Sequence, residues 1–270
     1  QIFSAISIAY CRLWASDELS LLNKLSELLS NQNMLLFLTS MAESLSDRKL
    51  RSQPNINDYC RFLFATVLPV VPSICDREGV SLSNYTGKAS FCVLMFKCYS
   101  EWFQLLEEEE TAAPAIDQLL GHVSFAIVVS ALLTPLSQFA LETYKDIIYF
   151  IAAKDVCAPS FYLLVEQLVQ YAIVSGQNVG SDALQALAVT LKKVSKRVGQ
   201  PLLLLTALTA AVSPESPVAQ TVLVGVRGFL DDTIRGNVND PSLLHCLGLV
   251  GKGLLAAMQL LPDGLHGYYA

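Results

Sequence analysis

Histidines are the residues of this sequence best suited to acid–base or metal chemistry, and there are three of them: His122, His245 and His266. His245 is followed directly by Cys246, but adjacent helical positions point about 100° apart, so the two side chains do not converge on one ion. His266 has Asp263 three residues before it and no third ligand nearby. A zinc site needs more ligands at short spacing. We therefore predict packed or partly exposed histidines and no metal site.

The segment GVSLSNYTGKAS (Gly79–Ser90) contains part of a phosphate-binding loop pattern, because Gly87 is followed by Lys88. The full pattern also needs a glycine where this chain has Leu82, and a hydroxyl residue where it has Ala89. We predict a loop that leads into a helix, with no nucleotide or other cofactor. No G-x-S-x-G motif occurs either. A catalytic triad built from distant residues stays open, but we predict a non-enzymatic chain without catalytic residues.

The densest positive cluster is KKVSKR, and its charged residues are Lys192, Lys193, Lys196 and Arg197. Their spacing places them on one face of a helix near its C-terminus, where cations complement the helix dipole. The same cluster could be a docking patch for an acidic protein partner. Direct binding of nucleic acid is disfavoured, because the net charge is −6 and no aromatic residues interleave the cluster.

A stripe of aromatic residues, Tyr99, Trp102 and Phe103, recurs at helical spacing. We expect these rings to pack in the core. If they were exposed in a groove, they would instead be candidates for a binding hot spot.

Helical periodicity dominates the elements that must position these residues. In SFYLLVEQLVQYAI, Phe161, Leu164, Leu168 and Ala172 follow one another at steps of three and four residues. This pattern is typical of one apolar face of an α-helix. Long runs of alternating apolar and polar residues, which would indicate strands, are absent. The sequence therefore predicts an all-α fold.

Prolines mark the predicted helix starts, because a proline is well tolerated at the first helical position. Each follows a small or polar residue and precedes an apolar run: Ala113-Pro114, Thr134-Pro135, Ala158-Pro159, Ser216-Pro217 and Asp240-Pro241. Ser181 or Asp182 is a further candidate cap, and Gln200-Pro201 is a further predicted start. One helix therefore begins about every 20 residues, and one pair of helices takes about 40 residues. This is the repeat length of HEAT and armadillo proteins.

The N-terminal half has the same character, with predicted helices near 2–15, 17–30, 33–46, 58–75, 87–107 and 114–133. About twelve helices favour a right-handed superhelical stack of antiparallel pairs, a HEAT/armadillo-like solenoid, over a closed bundle. We predict one solenoid segment over residues 1–270, with sub-blocks at 1–110 and 111–270. Since the chain starts with Gln1 inside helix-like sequence, we interpret it as a piece of a longer protein.

A helical membrane protein is a competing class, because 53 % of the residues are hydrophobic and the mean hydropathy is +0.44. The stretch from Gln118 to Leu141 contains no charged residue, and a membrane helix needs about 20 apolar residues. Thr134-Pro135 divides this stretch, however, and proline opposes the continuation of a helix. We predict the end of one buried helix and the start of the next, and no membrane association.

The seven cysteines are odd in number and form no C-x-x-C motif. Most lie in apolar runs, where free cysteines behave as small hydrophobic residues. This usage favours a reducing compartment, either the nucleus or the cytoplasm.

The segment GQPLLLLTALTAAVSPESPVAQTVLVGVRGFLDD (Gly199–Asp232) resembles a segment of the meiosis inhibitor protein family of vertebrates, which is armadillo-like. The resemblance implies a role in forming meiotic double-strand breaks and supplies no catalytic residue. Our expectation is a non-enzymatic helical repeat scaffold that binds protein partners. The alternatives are a cargo-binding solenoid like those of nuclear transport receptors and, after it, a helical membrane protein.

Overall fold

The computed structural model describes residues 24–25, 27–46, 69–107, 114–154, 159–175 and 180–194. Within these ranges the regular structure is helical and contains no strand, which confirms the predicted all-α class. The described helices are α1 (Asn31–Leu45), α2 (Val70–Glu78), α3 (Ala89–Glu107), α4 (Pro114–Leu120), α5 (Val123–Ala131), α6 (Ser137–Lys154), α7 (Pro159–Ser175) and α8 (Ser181–Val194), with a 3-10 helix (Tyr85–Lys88) before α3.

The chain divides into two compact units by its internal contacts. The first unit comprises residues 1–131 and 142–158, and the second comprises residues 132–141 and 159–270.

The core of the first unit is built around α3, which packs against α1 and against the 3-10 helix. Helix α1 begins after Ser30, whose hydroxyl accepts a hydrogen bond from the Asn33 N–H at 3.3 Å and so caps the helix. Its buried residues include a set that recurs at steps of four and three positions and so lies on one apolar face: Met34, Leu38, Met41 and Leu45. Helix α2 packs against both α1 and α5.

Two buried hydrogen bonds connect side chains of this core to the backbones of neighbouring helices. The Trp102 indole Nε1–H of α3 donates to the Leu38 carbonyl of α1 at 3.1 Å. The Thr143 hydroxyl of α6 donates to the Phe96 carbonyl of α3 at 2.8 Å. A buried polar group needs such a partner to avoid a desolvation cost, so both bonds constrain how the helices pack.

The aromatic stripe of α3 lies in the core, as predicted. Tyr99, Trp102 and Phe103 are all buried. The ring centroids of Tyr99 and Phe125 are 4.5 Å apart with the planes tilted by 36°, and those of Phe103 and Phe150 are 5.3 Å apart in an edge-on arrangement. Aromatic pairs favour edge-on geometries like that of Phe103 and Phe150 over face-to-face stacking.

In the second unit, α7 packs against α8. Among the side chains of α7 that the structure describes, Phe161, Val165 and Leu168 are buried and follow a helical period, and Leu164 of the predicted apolar face is half-buried. Helix α8 contributes small buried residues, Ala183 and Ala186, among others.

The prediction of one helix over 114–133 is wrong, because the chain breaks at Gly121 and His122 into α4 and α5. Glycine costs about 1 kcal/mol relative to alanine inside a helix. The His122 N–H bonds to the Leu119 carbonyl at 3.0 Å, which is a tightened last turn, and the next helix starts at Val123.

The predicted break at Thr134-Pro135 exists, but Pro135 is not the first helical residue. The Ser137 N–H bonds to the Thr134 carbonyl at 3.0 Å, and the Leu136 N–H bonds to the Thr134 hydroxyl at 3.3 Å. These residues form a turn with proline at its second position, where proline is favoured, and α6 begins at Ser137. In the described part of the chain, no helix is long and apolar enough to span a membrane.

The remaining boundaries agree with the predictions to within a few residues, with two corrections. Helix α2 begins at Val70, directly after Pro69, so the predicted helix near 58–75 does not run through this position. Helix α2 also continues to Glu78 instead of ending at residue 75, and it terminates at Gly79 in the left-handed conformation, φ 65°. Helix α8 already includes Ser181 and Asp182, so neither of them precedes it as a cap. The helices predicted near 2–15 and from about 200, 217 and 241 onward lie outside the described residues, as do most of those near 17–30 and 58–75.

Candidate functional site

Four polar side chains form a continuous hydrogen-bonded chain in the first unit. His122 Nε2 lies 3.2 Å from Asp76 Oδ1, and His122 Nδ1 lies 2.9 Å from Ser124 Oγ. The Tyr99 hydroxyl lies 2.7 Å from the same Ser124 oxygen. Asp76 comes from α2, Tyr99 from α3 and Ser124 from the first turn of α5, so these hydrogen bonds connect three helices.

The direction of every hydrogen bond in this chain follows from one backbone contact. The Ser124 N–H donates to His122 Nδ1 at 3.2 Å, so Nδ1 is an acceptor and the ring proton is on Nε2, where it donates to Asp76. Since Nδ1 carries no hydrogen, the Ser124 hydroxyl must donate to it. The hydrogen bond between the Tyr99 and Ser124 hydroxyls must then use the hydrogen of Tyr99, with the Ser124 oxygen as its acceptor. The order of donation is therefore Tyr99 to Ser124 to His122 to Asp76.

The burial of Tyr99 supports this order of donation. It raises the pKa of the Tyr99 hydroxyl well above its usual value, an effect that the hydrogen bond to Ser124 partly opposes. Tyr99 is therefore protonated at neutral pH and can act as the donor. At the other end, the Asp76 carboxylate is 66 % exposed and remains in contact with water.

An aspartate, a histidine and a serine in hydrogen-bonded order invite comparison with a hydrolase triad. Ser124 is fully buried, however, and its hydroxyl lies between the histidine and Tyr99. A nucleophile must be open to its substrate, whereas this hydroxyl connects two protein groups. What the geometry does provide is a helix cap, because the His122 ring accepts the Ser124 N–H in the first turn of α5.

The prediction of a packed or partly exposed histidine is confirmed for His122, whose side chain is 23 % exposed. Its partners could not be identified from the sequence, because Asp76 lies 46 residues away. His245 and His266 lie outside the described residues.

The segment with the partial phosphate-loop pattern is a loop that leads into a helix, as predicted. Asn84 closes the loop, because its Oδ1 accepts from the Ser81 N–H and its Nδ2 donates to the Gly79 carbonyl, both at 2.9 Å. The Lys88 ammonium donates to the Glu78 carbonyl at the end of α2. A cation in that position complements the negative end of the helix dipole.

Three cysteines, Cys75, Cys92 and Cys98, are free and buried, as predicted for cysteines in apolar runs. Burial is the main cause that raises the pKa of Cys92 to about 11 and that of Cys98 to about 12. Burial also raises the pKa of Cys75, whose Sγ lies 3.0 Å from Met95 Sδ. Since the thiolate is the reactive form, we expect these three thiols to react slowly in the folded chain.

We expect iodoacetamide at pH 8 to alkylate Cys75, Cys92 and Cys98 at least about 100-fold more slowly in the folded protein than in urea, because both access and the thiolate fraction are low. Labelling is quantified for each cysteine-containing peptide by mass spectrometry. Equal rates in buffer and in urea at any of the three would contradict the buried positions.

A small charged cluster lies on the surface of α1 and α3. The Lys97 ammonium forms an ion pair with Glu43 at 2.7 Å, and this hydrogen bond raises the pKa of Lys97. Partial burial raises the pKa of Glu101, with a smaller contribution from the Glu43 charge, while Lys97 opposes the shift. Glu101 therefore holds its proton more tightly in the folded chain than in the unfolded chain.

The raised pKa of Glu101 implies a pH dependence of stability that Glu101→Gln should remove. The contribution of Glu101 to stability is fully present below its pKa in the unfolded chain, about 4.3. It is lost as the pH rises through the higher pKa of Glu101 in the folded chain. The unfolding free energy of the parent protein should therefore fall relative to that of Glu101→Gln as the pH increases from about 4 to about 7. Urea unfolding across this range measures the difference, and a constant difference would contradict the shift.

In the second unit, a polar cleft of about 270 Å³ lies beside the N-termini of α6 and α8. Asp182 lines the cleft together with Ser137 and Ser181. Its carboxylate accepts hydrogen bonds from the Ser137 hydroxyl at 2.6 Å and from the Ser181 hydroxyl at 3.4 Å. Thr134 and Tyr171 also line the cleft, and the Tyr171 side chain is 41 % exposed. No feature of the sequence had indicated this site, because its members come from three separate segments.

The predicted docking patch is only partly described. Lys192 and Lys193 lie in the last turn of α8, as predicted for cations near a helix C-terminus. Lys196 and Arg197 lie outside the described residues, so the patch stays a prediction.

Among the described residues, no group of three or more His, Cys, Asp or Glu side chains is arranged to hold a metal ion. No protein-family model matches the chain, and no curated protein or solved structure matches it. The residues and contacts of the chain itself therefore carry the functional proposal.

Proposed function

We propose that this chain is a non-enzymatic α-helical scaffold that binds protein partners through a stack of helix pairs. The observation that carries the proposal is the regular spacing of its helices. Helices α6, α7 and α8 begin at residues 137, 159 and 181, so each starts 22 residues after the one before. Two such steps make a pair of 44 residues, within the range of about 40–47 residues for HEAT and armadillo repeats.

The packing of α7 against α8 supports the same proposal. Each helix of a repeat pair buries one apolar face on its neighbours, and such arrays present extended surfaces to partners. The buried Ser124 adds a second line of support, because the one Asp–His–Ser arrangement in the described residues holds helices together and offers no accessible nucleophile.

Small-angle X-ray scattering tests the scaffold architecture. A compact protein of 270 residues has a radius of gyration of about 18 Å. A stack of helix pairs should give a clearly larger value and an asymmetric distance distribution. A radius near that of a compact globule would contradict the proposal.

The resemblance of Gly199–Asp232 to the meiosis inhibitor family supports a proposal about the process, with the scaffold acting in the nucleus during the formation of meiotic double-strand breaks. Disrupting the gene should then lower the number of programmed breaks in meiotic cells, counted as chromosomal recombinase foci. An unchanged number would remove the meiotic role and would leave the scaffold proposal standing.

A further inference from the structure

We infer that the cleft beside Asp182 binds the guanidinium group of an arginine side chain from a protein partner. This inference rests on the proposed scaffold function and names the chemistry of one contact. The size of the cleft favours a single side chain, because its volume of about 270 Å³ lies below the range of about 300–1,000 Å³ typical of sites for drug-sized ligands.

The polar groups of the cleft call for a ligand that donates hydrogen bonds. The Ser137 and Ser181 hydroxyls both direct their only hydrogen to the Asp182 carboxylate. The Thr134 hydroxyl oxygen accepts the Leu136 N–H. What the carboxylate and the two serines offer to a ligand is therefore mainly acceptor lone pairs. A guanidinium has five N–H donors and no acceptor, and it matches a carboxylate in a planar, two-point geometry.

Charge points the same way. The described ion pairs of the chain do not include Asp182, so its negative charge is balanced by hydroxyl donors and by the dipole of α8. A helix N-terminus contributes about half a positive charge, which is less than the full charge of the carboxylate. At the start of α6, the N–H groups of Leu136, which precedes the helix, and of Ser137, its first residue, are already bonded to Thr134. An anion in the cleft would be repelled by the Asp182 carboxylate, and these two N–H groups could not offset the repulsion.

Tyr171 supplies a surface for a planar cation. Its half-exposed ring lines the same cleft as Asp182. A guanidinium over the face of a tyrosine ring is stabilised by the ring quadrupole, and arginine stacks on aromatic rings better than lysine does. The carboxylate and the ring together therefore favour arginine as the occupant.

The test is a titration of the whole chain with N-acetyl-arginine amide, followed by isothermal calorimetry or by NMR shifts. We expect weak binding, with a Kd on the order of 1 mM for so small a probe. Asp182→Asn should weaken binding at least fivefold, and Asp117→Asn, the same charge change on α4, should leave it unchanged. Tyr171→Leu should weaken binding, whereas Tyr171→Phe, which keeps the ring, should retain it.

Two further probes separate the alternatives. N-acetyl-citrulline amide, which has the same shape without the charge, should bind at least fivefold more weakly than the arginine probe. Inorganic phosphate should not bind. Preferential binding of phosphate would overturn the inference, and so would parental affinity in a folded Asp182→Asn or Tyr171→Leu protein. These outcomes do not bear on the particle dimensions that test the scaffold, so the two proposals can fail separately.

Discussion

Replacing Trp102 with alanine should lower the free energy of unfolding by about 3–5 kcal/mol, the range observed for large aromatic residues removed from cores. Trp102 is fully buried between α1 and α3, and its indole N–H bonds to the Leu38 carbonyl, 64 residues away in the sequence. The substitution removes both the ring packing and this hydrogen bond, and it leaves a cavity where α1 and α3 meet. Urea unfolding followed by circular dichroism at 222 nm measures the loss.

Two matched variants separate the contributions. Trp102→Phe keeps most of the ring but has no donor for the Leu38 carbonyl, so we expect an intermediate loss of about 1–2 kcal/mol. Leu82→Ala removes an apolar side chain that is half exposed, and it should change stability by less than about 0.5 kcal/mol. A Trp102→Ala protein as stable as Leu82→Ala would contradict the position of Trp102 in the core.

The sequence predicted the helix starts at some prolines but not at all of them, because proline is also favoured in turns. Pro114 and Pro159 begin α4 and α7 as predicted. Pro135 lies in a turn instead, because the hydroxyl and the carbonyl of Thr134 both accept backbone N–H groups that follow it. The first position of a helix and the second position of a turn require nearly the same φ, so a proline fits both. Only the later hydrogen bonds distinguish the two cases.

The hydrogen-bonded chain of the first unit could not be predicted, because it depends on packing. Asp76 and His122 are 46 residues apart, and Tyr99 and Ser124 are 25 residues apart. Apolar periodicity places Tyr99 on the buried face of α3 but does not say which hydroxyl it meets. One local signal was present: Gly121 lowers the helix propensity directly before His122 and Ser124, where the break occurs.

The direction of that hydrogen-bonded chain leads to the second large effect. Ser124→Ala removes the acceptor of the Tyr99 hydroxyl and leaves a buried donor without its partner, which should cost about 1–3 kcal/mol. Tyr99→Phe should cost less, about 1 kcal/mol, because Ser124 can still donate to His122. The two residues are in contact, so their effects should not be additive.

The informative comparison is therefore the double variant. When the donor and its acceptor are both replaced by apolar groups, no buried polar atom is left stranded between them. Adding Tyr99→Phe to Ser124→Ala should raise the free energy of unfolding above that of Ser124→Ala alone, by about 1 kcal/mol. Urea unfolding of the four proteins of the cycle measures this recovery. If the two losses simply add, Tyr99 and Ser124 are not coupled, and the stabilising hydrogen bond between their hydroxyls is contradicted. If the recovery occurs, the buried hydrogen bond between Tyr99 and Ser124 is part of what holds α3 against α5.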